Sequence, residues 1–225
     1  MRLFELGKTF AGSTEGAPTE TLRVAAVACG DVAAEQWGTP ARNIDFHDLK
    51  GDLDSLAALS GTVLQYRPSG APWGHPGRSA DVFGDGVKLG WIGQLHPRLQ
   101  QSINLDVDTV AFEIDVEALL RRALPKARPL SRYPSVRRDL AFVVAESVSW
   151  AAISASVKLV AGALLQELRL FDRYAGKGVE TGFKSFAMGL ILQDDSRTLT
   201  DREVDQVMAG VMAILQRHHG ARIRE

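Results

Sequence analysis

Asp172 and Tyr174 stand two positions apart, immediately before Gly176-Lys177-Gly178, and Ser185 follows Gly182 on the far side of the same glycine-rich stretch. A tyrosine ring can stack on an unpaired base, a carboxylate can accept hydrogen bonds from a guanine edge, and a hydroxyl can serve either a base or a phosphate. The same residues also fit an ordinary hairpin with a capping aspartate and a half-buried tyrosine. Around them, Arg137, Arg138, Lys177, Lys184 and Arg197 are cations able to meet phosphates. Taken singly, each also fits a solvated charge with a local ion pair. Arg138 and Asp139, adjacent in sequence, are one candidate for such a pair.

For the three polar residues to act together, the chain must bring them to one patch. Leu164–Phe171 and Phe183–Gln193 read as strands joined by the glycine elbow, and antiparallel pairing sets the two ends of that elbow side by side. Parity raises a constraint. Asp172 and Tyr174 share the phase of Leu168 and Leu170, which belong on the core side, so the strand must end or bulge before them.

The rest of the second half supplies a framework. Leu140 to Val144 is a run of five apolar residues, approached through Pro134 and expected as the middle of a central strand, Arg138–Ala145. Ser149 is placed to cap a helix with Ile153, Val157 and Val160 on one face. Thr200-Asp-Arg-Glu203 is a capping box. It opens a helix carrying Val204, Val207, Met208, Val211 and Leu215, which Gly220 ends. Ala221–Arg224 completes the order βαββαβ, a ferredoxin-like arrangement of one antiparallel sheet with two helices on one face and the other face open.

The first half reads differently. Arg2–Gly7 and Leu22–Gly30 are expected strands, joined by a polar surface loop over Ala11–Thr21. Asp45 caps a helix to about Leu59, with Phe46, Leu49, Leu53 and Leu56 on one face. A strand near Val63–Arg67 leads into a loop rich in Gly and Pro over Pro68–Gly77. Asp85-Gly86 marks a hairpin between Ala80–Gly84 and Val87–Gln94, because both residues tolerate the positive φ of a type I′ turn. Pro97 starts a short helix, Thr109–Ile114 is a strand, and Val116–Ala123 a further short helix. The fold class is therefore α+β, with antiparallel strands in both halves. Pro125 to Pro129 reads as a linker between residues 1–125 and 131–225.

Net charge over the 225 residues is −1, but residues 1–125 hold 11 basic against 16 acidic side chains, and residues 126–225 hold 15 against 11. The second half is thus mildly basic, which permits an anionic partner without requiring one. Cys29 is the single cysteine, so no disulfide can form within the chain, as expected for the cytosol. No apolar run approaches the roughly 18 residues of a membrane span. The five histidines show no ligand spacing and no paired acidic cluster accompanies them, so no metal site is expected.

Tyr133-Pro-Ser-x-x-Arg138-Asp-Leu-Ala, Leu170-Phe-Asp-x-Tyr174-x-Gly-Lys-Gly178, Gly182-x-Lys-Ser185 and Leu192-Gln-Asp-x-Ser-Arg-Thr-Leu199 resemble the carboxy-terminal anticodon-binding domain of the bacterial phenylalanyl-tRNA synthetase beta subunits. Arg2-Leu-Phe-Glu-Leu-Gly7, Asp45-Phe-x-Asp-Leu-Lys-Gly51, His75-Pro-Gly77 and Gly90-x-Ile-Gly-x-Leu-His-Pro97 resemble the region that precedes it. In that family this region is part of a class II synthetase-like module without catalysis. The motifs keep the family's order across nearly the whole chain, and the family's subunits are longer, so the chain is expected to be a carboxy-terminal fragment.

The resemblance implies that Asp172, Tyr174 and Ser185 contact the first anticodon base. It implies two partners, the anticodon stem-loop of phenylalanine tRNA and a catalytic alpha subunit in an assembly of two alpha and two beta chains. ATP and magnesium would serve that holoenzyme, with no cofactor held by this chain. Class II adenylation places a phosphate-clamping arginine in a Gly-x-Gly-x-x-Arg context. The two Gly-x-Gly sites here, Gly84-Asp-Gly86 and Gly176-Lys-Gly178, are followed by Val-Lys-Leu and Val-Glu-Thr, so no catalytic residue is assigned. A small-ligand or protein-interaction module is the competing reading, since ferredoxin-like folds host many functions.

Overall fold

The computed structural model of the chain describes residues 1–12, 16–120 and 130–223. The linker expected over Pro125–Pro129, and the end of the helix expected to reach Ala123, lie outside the described residues. The chain divides into two compact units, Met1–Lys126 and Ala127–Glu225, each with its own core.

The first unit is one antiparallel sheet. Its strands are β1 (Arg2–Ala11), β2 (Thr19–Cys29), β3 (Leu64–Pro68), β4 (Gly74–Gly84), β5 (Val87–Leu95) and β6 (Thr109–Asp115), in the order β1-β2-β6-β5-β4-β3. Helix α1 (Phe46–Ala58) begins at a complete capping box. The Asp45 carboxylate accepts from the His47 and Asp48 amides, and Asp48 accepts from the Asp45 amide at 2.9 Å. Leu49 and Leu53 of α1 bury themselves among Val24, Val82, Ile92, Phe112 and Ile114 on one sheet face. Helices α2 (Pro97–Ser102) and α3 (Glu117–Leu120) are short. Asp85 (φ 48°) and Gly86 (φ 81°) make the expected tight turn between β4 and β5.

Two expectations for this unit need correction. The loop expected over Ala11–Thr21 is shorter, because β1 and β2 stay paired out to Ala11 opposite Thr19. Their side chains there are exposed, so no hydrophobic alternation announced the strands. The segment expected as a loop to Gly77 also joins β4 from Gly74 onward. Gly74 and Gly93 act there as spacers, since a Cβ on either would lie 2.8 Å from Cζ2 of Trp91, whose indole occupies the space they leave. β1 is an edge strand, and Phe4, Leu6 and Phe10 on it are exposed.

The second unit has the ferredoxin-like order. Strands β7 (Val136–Ala145), β8 (Leu165–Tyr174), β9 (Phe183–Leu192) and β10 (Arg222–Ile223) form a sheet ordered β10-β7-β9-β8. Helices α4 (Trp150–Ala161) and α5 (Asp201–His219) cover one face. Ser149 caps α4 through the Ala152 amide. Thr200 and Glu203 form the capping box of α5, and Gly220 ends it with φ 60°, a left-handed conformation that glycine adopts without steric cost. Leu140, Phe142 and Val144 of β7, with Phe186, Met188, Leu190 and Leu192 of β9, point to the helices. At the end of α5, His219 shares a hydrogen bond with Ser156 on α4 at 2.8 Å, and burial lowers its pKa.

The α5 cap makes an acid-sensitive joint. Hydrogen bonds from Arg197, then from Thr200, pull the Glu203 pKa from its ordinary 4.5 to about 2. A carboxylate whose folded pKa is depressed stabilises the fold above its unfolded value and loses that contribution as pH falls from about 4.5 to about 2. Glu203→Gln should therefore flatten the acid limb of stability in that window, as measured by urea unfolding at successive pH values. Thr200→Ala should cost about 1 kcal/mol near neutral pH.

Candidate nucleic-acid interface

The face of the second sheet that the helices leave open is set by the register of β9. Because Phe186, Met188, Leu190 and Leu192 belong to the core, the alternate residues Phe183, Ser185, Ala187, Gly189 and Ile191 face away from it. The β7 partners on that side are Ala145, Val143, Ala141, Asp139 and Arg137. On β8, Leu168 pairs with Leu190 and Leu170 with Met188, both on the core side.

The pairing of β8 with β9 then slips between Leu170 and Asp172. Phe171 is the extra residue of this bulge. Past it, Asp172 pairs with Ala187 and Tyr174 with Ser185, so both side chains emerge on the open face. This is the re-aiming that strand parity demanded. Asp172, Tyr174 and Ser185 meet in one patch. The Phe171 ring lies 5.6 Å from the Arg137 guanidinium of the open face.

Within the patch, Tyr174 is 40 % exposed and its hydroxyl donates to the Lys177 carbonyl at 3.1 Å. The elbow thus closes back on the ring. A Cβ on Gly176 would lie 2.8 Å from the Tyr174 hydroxyl oxygen and 3.0 Å from Cζ, so only glycine fits beneath the ring in this pose. Asp172 is exposed and its carboxylate takes no hydrogen bond or ion pair among the described residues. Ser185 is 6 % exposed at the base of the patch, and its hydroxyl likewise has no partner there. An aromatic face, a free carboxylate and a free hydroxyl therefore converge on one small area. That is the equipment for holding a planar base and hydrogen-bonding its edge.

The five cations do not gather around this patch. Arg137 is on the open face but pairs with Asp139 at 2.8 Å, and the pair lies over Gly189. That also corrects the expected Arg138–Asp139 pair. Adjacent strand residues point to opposite faces, so Asp139 meets the residue two before it. Arg138 reaches Asp201 at the start of α5. Arg197 bridges Asp194 and Glu203 at the α5 cap. Lys184 is the clearest correction. It alternates with Ser185 onto the helix side, is 7 % exposed, and donates to the Glu146 carbonyl at 2.6 Å. Burial lowers its pKa, an effect partly offset by the Glu146 carboxylate. Lys177 is left in the elbow itself, with no ion pair among the described residues.

Sequence reasoning overlooked Arg222. It sits on β10 opposite Val143, and its guanidinium lies 4.5 Å over the Phe183 ring and 2.8 Å from the Glu180 carboxylate. Nothing local flags it, because β10 reaches the sheet from the far end of the chain.

The free face of the first sheet carries a cleft of about 1200 Å³ lined by Trp73, Trp91, Leu3 and Val27. Four of its charged groups form two ion pairs, Arg23 with Glu113 and Lys88 with Asp81. No group of three or more His, Cys, Asp or Glu able to hold a metal occurs among the described residues. No described helix is long and apolar enough to cross a membrane.

Gly176→Ala should displace the Tyr174 ring while leaving the core intact. The expected result is an altered environment for the ring in two-dimensional NMR with the melting temperature of the unit little changed.

Comparisons with known proteins bear on both units. Residues 1–116 match the family described as phenylalanyl tRNA synthetase beta chain CLM domain, and residues 131–224 match the ferredoxin-fold anticodon binding domain. Over its full 225 residues the chain is 64% identical to the phenylalanine–tRNA ligase beta subunit of Xanthomonas campestris pv. campestris (strain 8004). The corresponding subunits of Xanthomonas axonopodis pv. citri (strain 306) and Xylella fastidiosa (strain 9a5c) are 62% and 58% identical, and each match covers 100% of this chain. The chain spans 28% of the length of these relatives. A solved pyrrolysyl tRNA synthetase from Desulfitobacterium hafniense aligns over 58% of this chain and 46% of its own at 19% identity, with a TM-score of 0.36, too loose a likeness to carry an argument.

Proposed function

The chain belongs to the phenylalanyl-tRNA synthetase beta chain family, and from that premise we propose that its second unit binds the anticodon stem-loop of phenylalanine tRNA on the open sheet face. Tyr174 stacks on the first anticodon base, Asp172 accepts from its edge, and Ser185 hydrogen-bonds it from below. The observation that carries this reading is the bulge at Phe171, which turns Asp172 and Tyr174 out of the core phase and onto the face of Ser185. A purely structural hairpin would have no need to place three polar or aromatic groups together there.

The first unit serves as a scaffold rather than a catalyst. In the whole enzyme, attachment of phenylalanine to its tRNA with ATP and magnesium takes place in an assembly with a catalytic alpha subunit, two copies of each, in the cytoplasm. The sheet and cleft of the first unit supply a surface for assembly within that enzyme. Residues 1–125 and 131–225 act as separate domains.

Tyr174→Ala should weaken binding of an RNA hairpin carrying the phenylalanine anticodon by about 1–3 kcal/mol, in line with loss of a base–aromatic stack, while the melting temperature hardly moves. A hairpin with a scrambled loop should bind the parent weakly and lose little more on substitution. A large fall in melting temperature with unchanged affinity would instead make the ring a structural element and remove the main support for the assignment. The chain alone should catalyse no phenylalanine-dependent pyrophosphate exchange with ATP.

A further inference from the structure

The register of the second sheet places four residues in one row across its open face. Arg222 of β10 is opposite Val143 of β7, Val143 is opposite Ser185 of β9, and Ser185 is opposite Tyr174 of β8. With strands about 4.8 Å apart, the ends of this row are about 14 Å apart along the backbone. The Arg222 side chain closes much of that gap. It reaches back across β7 to set its guanidinium over the ring of Phe183, one strand away from Tyr174. Between them the floor is small and uncharged, made by Val143, Ala145 and Ser185.

We propose that Arg222 is the phosphate contact of the Tyr174 patch, taking the phosphodiester of the nucleotide whose base stacks on Tyr174. This inference rests on the anticodon-binding reading above. Three features fit Arg222 to the task. The Phe183 ring holds the guanidinium plane in place, so little side-chain freedom is left to lose when an anion binds. Its present partner, Glu180, is 63% exposed, and an exposed ion pair of this kind is worth little, so a phosphate can replace it cheaply. The other arginines of this face, Arg137 and Arg169, are paired with carboxylates on their own strands, further along the sheet from Tyr174.

The test is a salt titration of affinity for the RNA hairpin carrying the phenylalanine anticodon, using the full chain. Arg222→Gln should reduce the slope of log affinity against log salt by about 0.7 and weaken binding about fivefold at 0.1 M salt, for matched and scrambled loops alike. Arg222→Lys should keep most of the slope. Arg173→Gln is the control. Arg173 neighbours Tyr174 in sequence and is exposed, but it faces the helix side and pairs with Glu146, so it should leave the slope unchanged. Equal losses from Arg222→Gln and Arg173→Gln would reduce the effect to net charge and overturn the proposal. So would an unchanged slope for Arg222→Gln while Tyr174→Ala still weakens binding, an outcome that leaves the anticodon reading standing. A hairpin that binds no better than a scrambled one and ignores Tyr174→Ala would overturn both.

Discussion

The two-residue period of β9 governs the second unit. Four large side chains, Phe186, Met188, Leu190 and Leu192, are locked against α4 and α5. Slipping the strand by one position would move all four into water, at roughly 1.5–3 kcal/mol for each buried side chain. The intervening residues therefore have no choice of side. Ser185 is held on the open face, Lys184 is denied it, and the neighbouring strands inherit the same division through their pairing. β8 departs from that discipline twice, between Leu165 and Glu167 and again at Phe171, and the candidate site is built on the second departure.

Much of this was legible in the sequence because the signals are local. Asp45 with Asp48, and Thr200 with Glu203, announce helix starts by satisfying backbone amides within three residues. Asp85-Gly86 announces its turn by the conformations its residues tolerate. The need for a bulge was legible too, as a conflict between the phase of Leu168 and Leu170 and the side on which Asp172 and Tyr174 must stand. The partner of Asp139 and the side taken by Lys184 follow from the same alternation. A sequence reading that collects cations by proximity along the chain, rather than by parity, misplaces both.

What stayed hidden is non-local or carries no hydrophobic signal. The outer ends of β1 and β2 are polar and exposed, so the pairing there is a matter of backbone bonds alone. Gly74 and Gly93 look like breakers, yet they sit within strands because the Trp91 indole needs the volume a side chain would take. Arg222 is remote from the elbow in sequence and reaches it only because the fourth strand of this topology pairs beside the first.

β1 has a consequence for handling the molecule. It is a ten-residue strand on the rim of a sheet, and it presents Phe4, Leu6 and Phe10 to solvent beside an outer row of backbone groups that no strand among the described residues takes up. Long apolar rims of this kind are templates for strand addition between molecules. In concentrated solution β1 is therefore a place where copies of the first unit can add to one another. A lysine placed at Leu6 would interrupt the rim without touching either core.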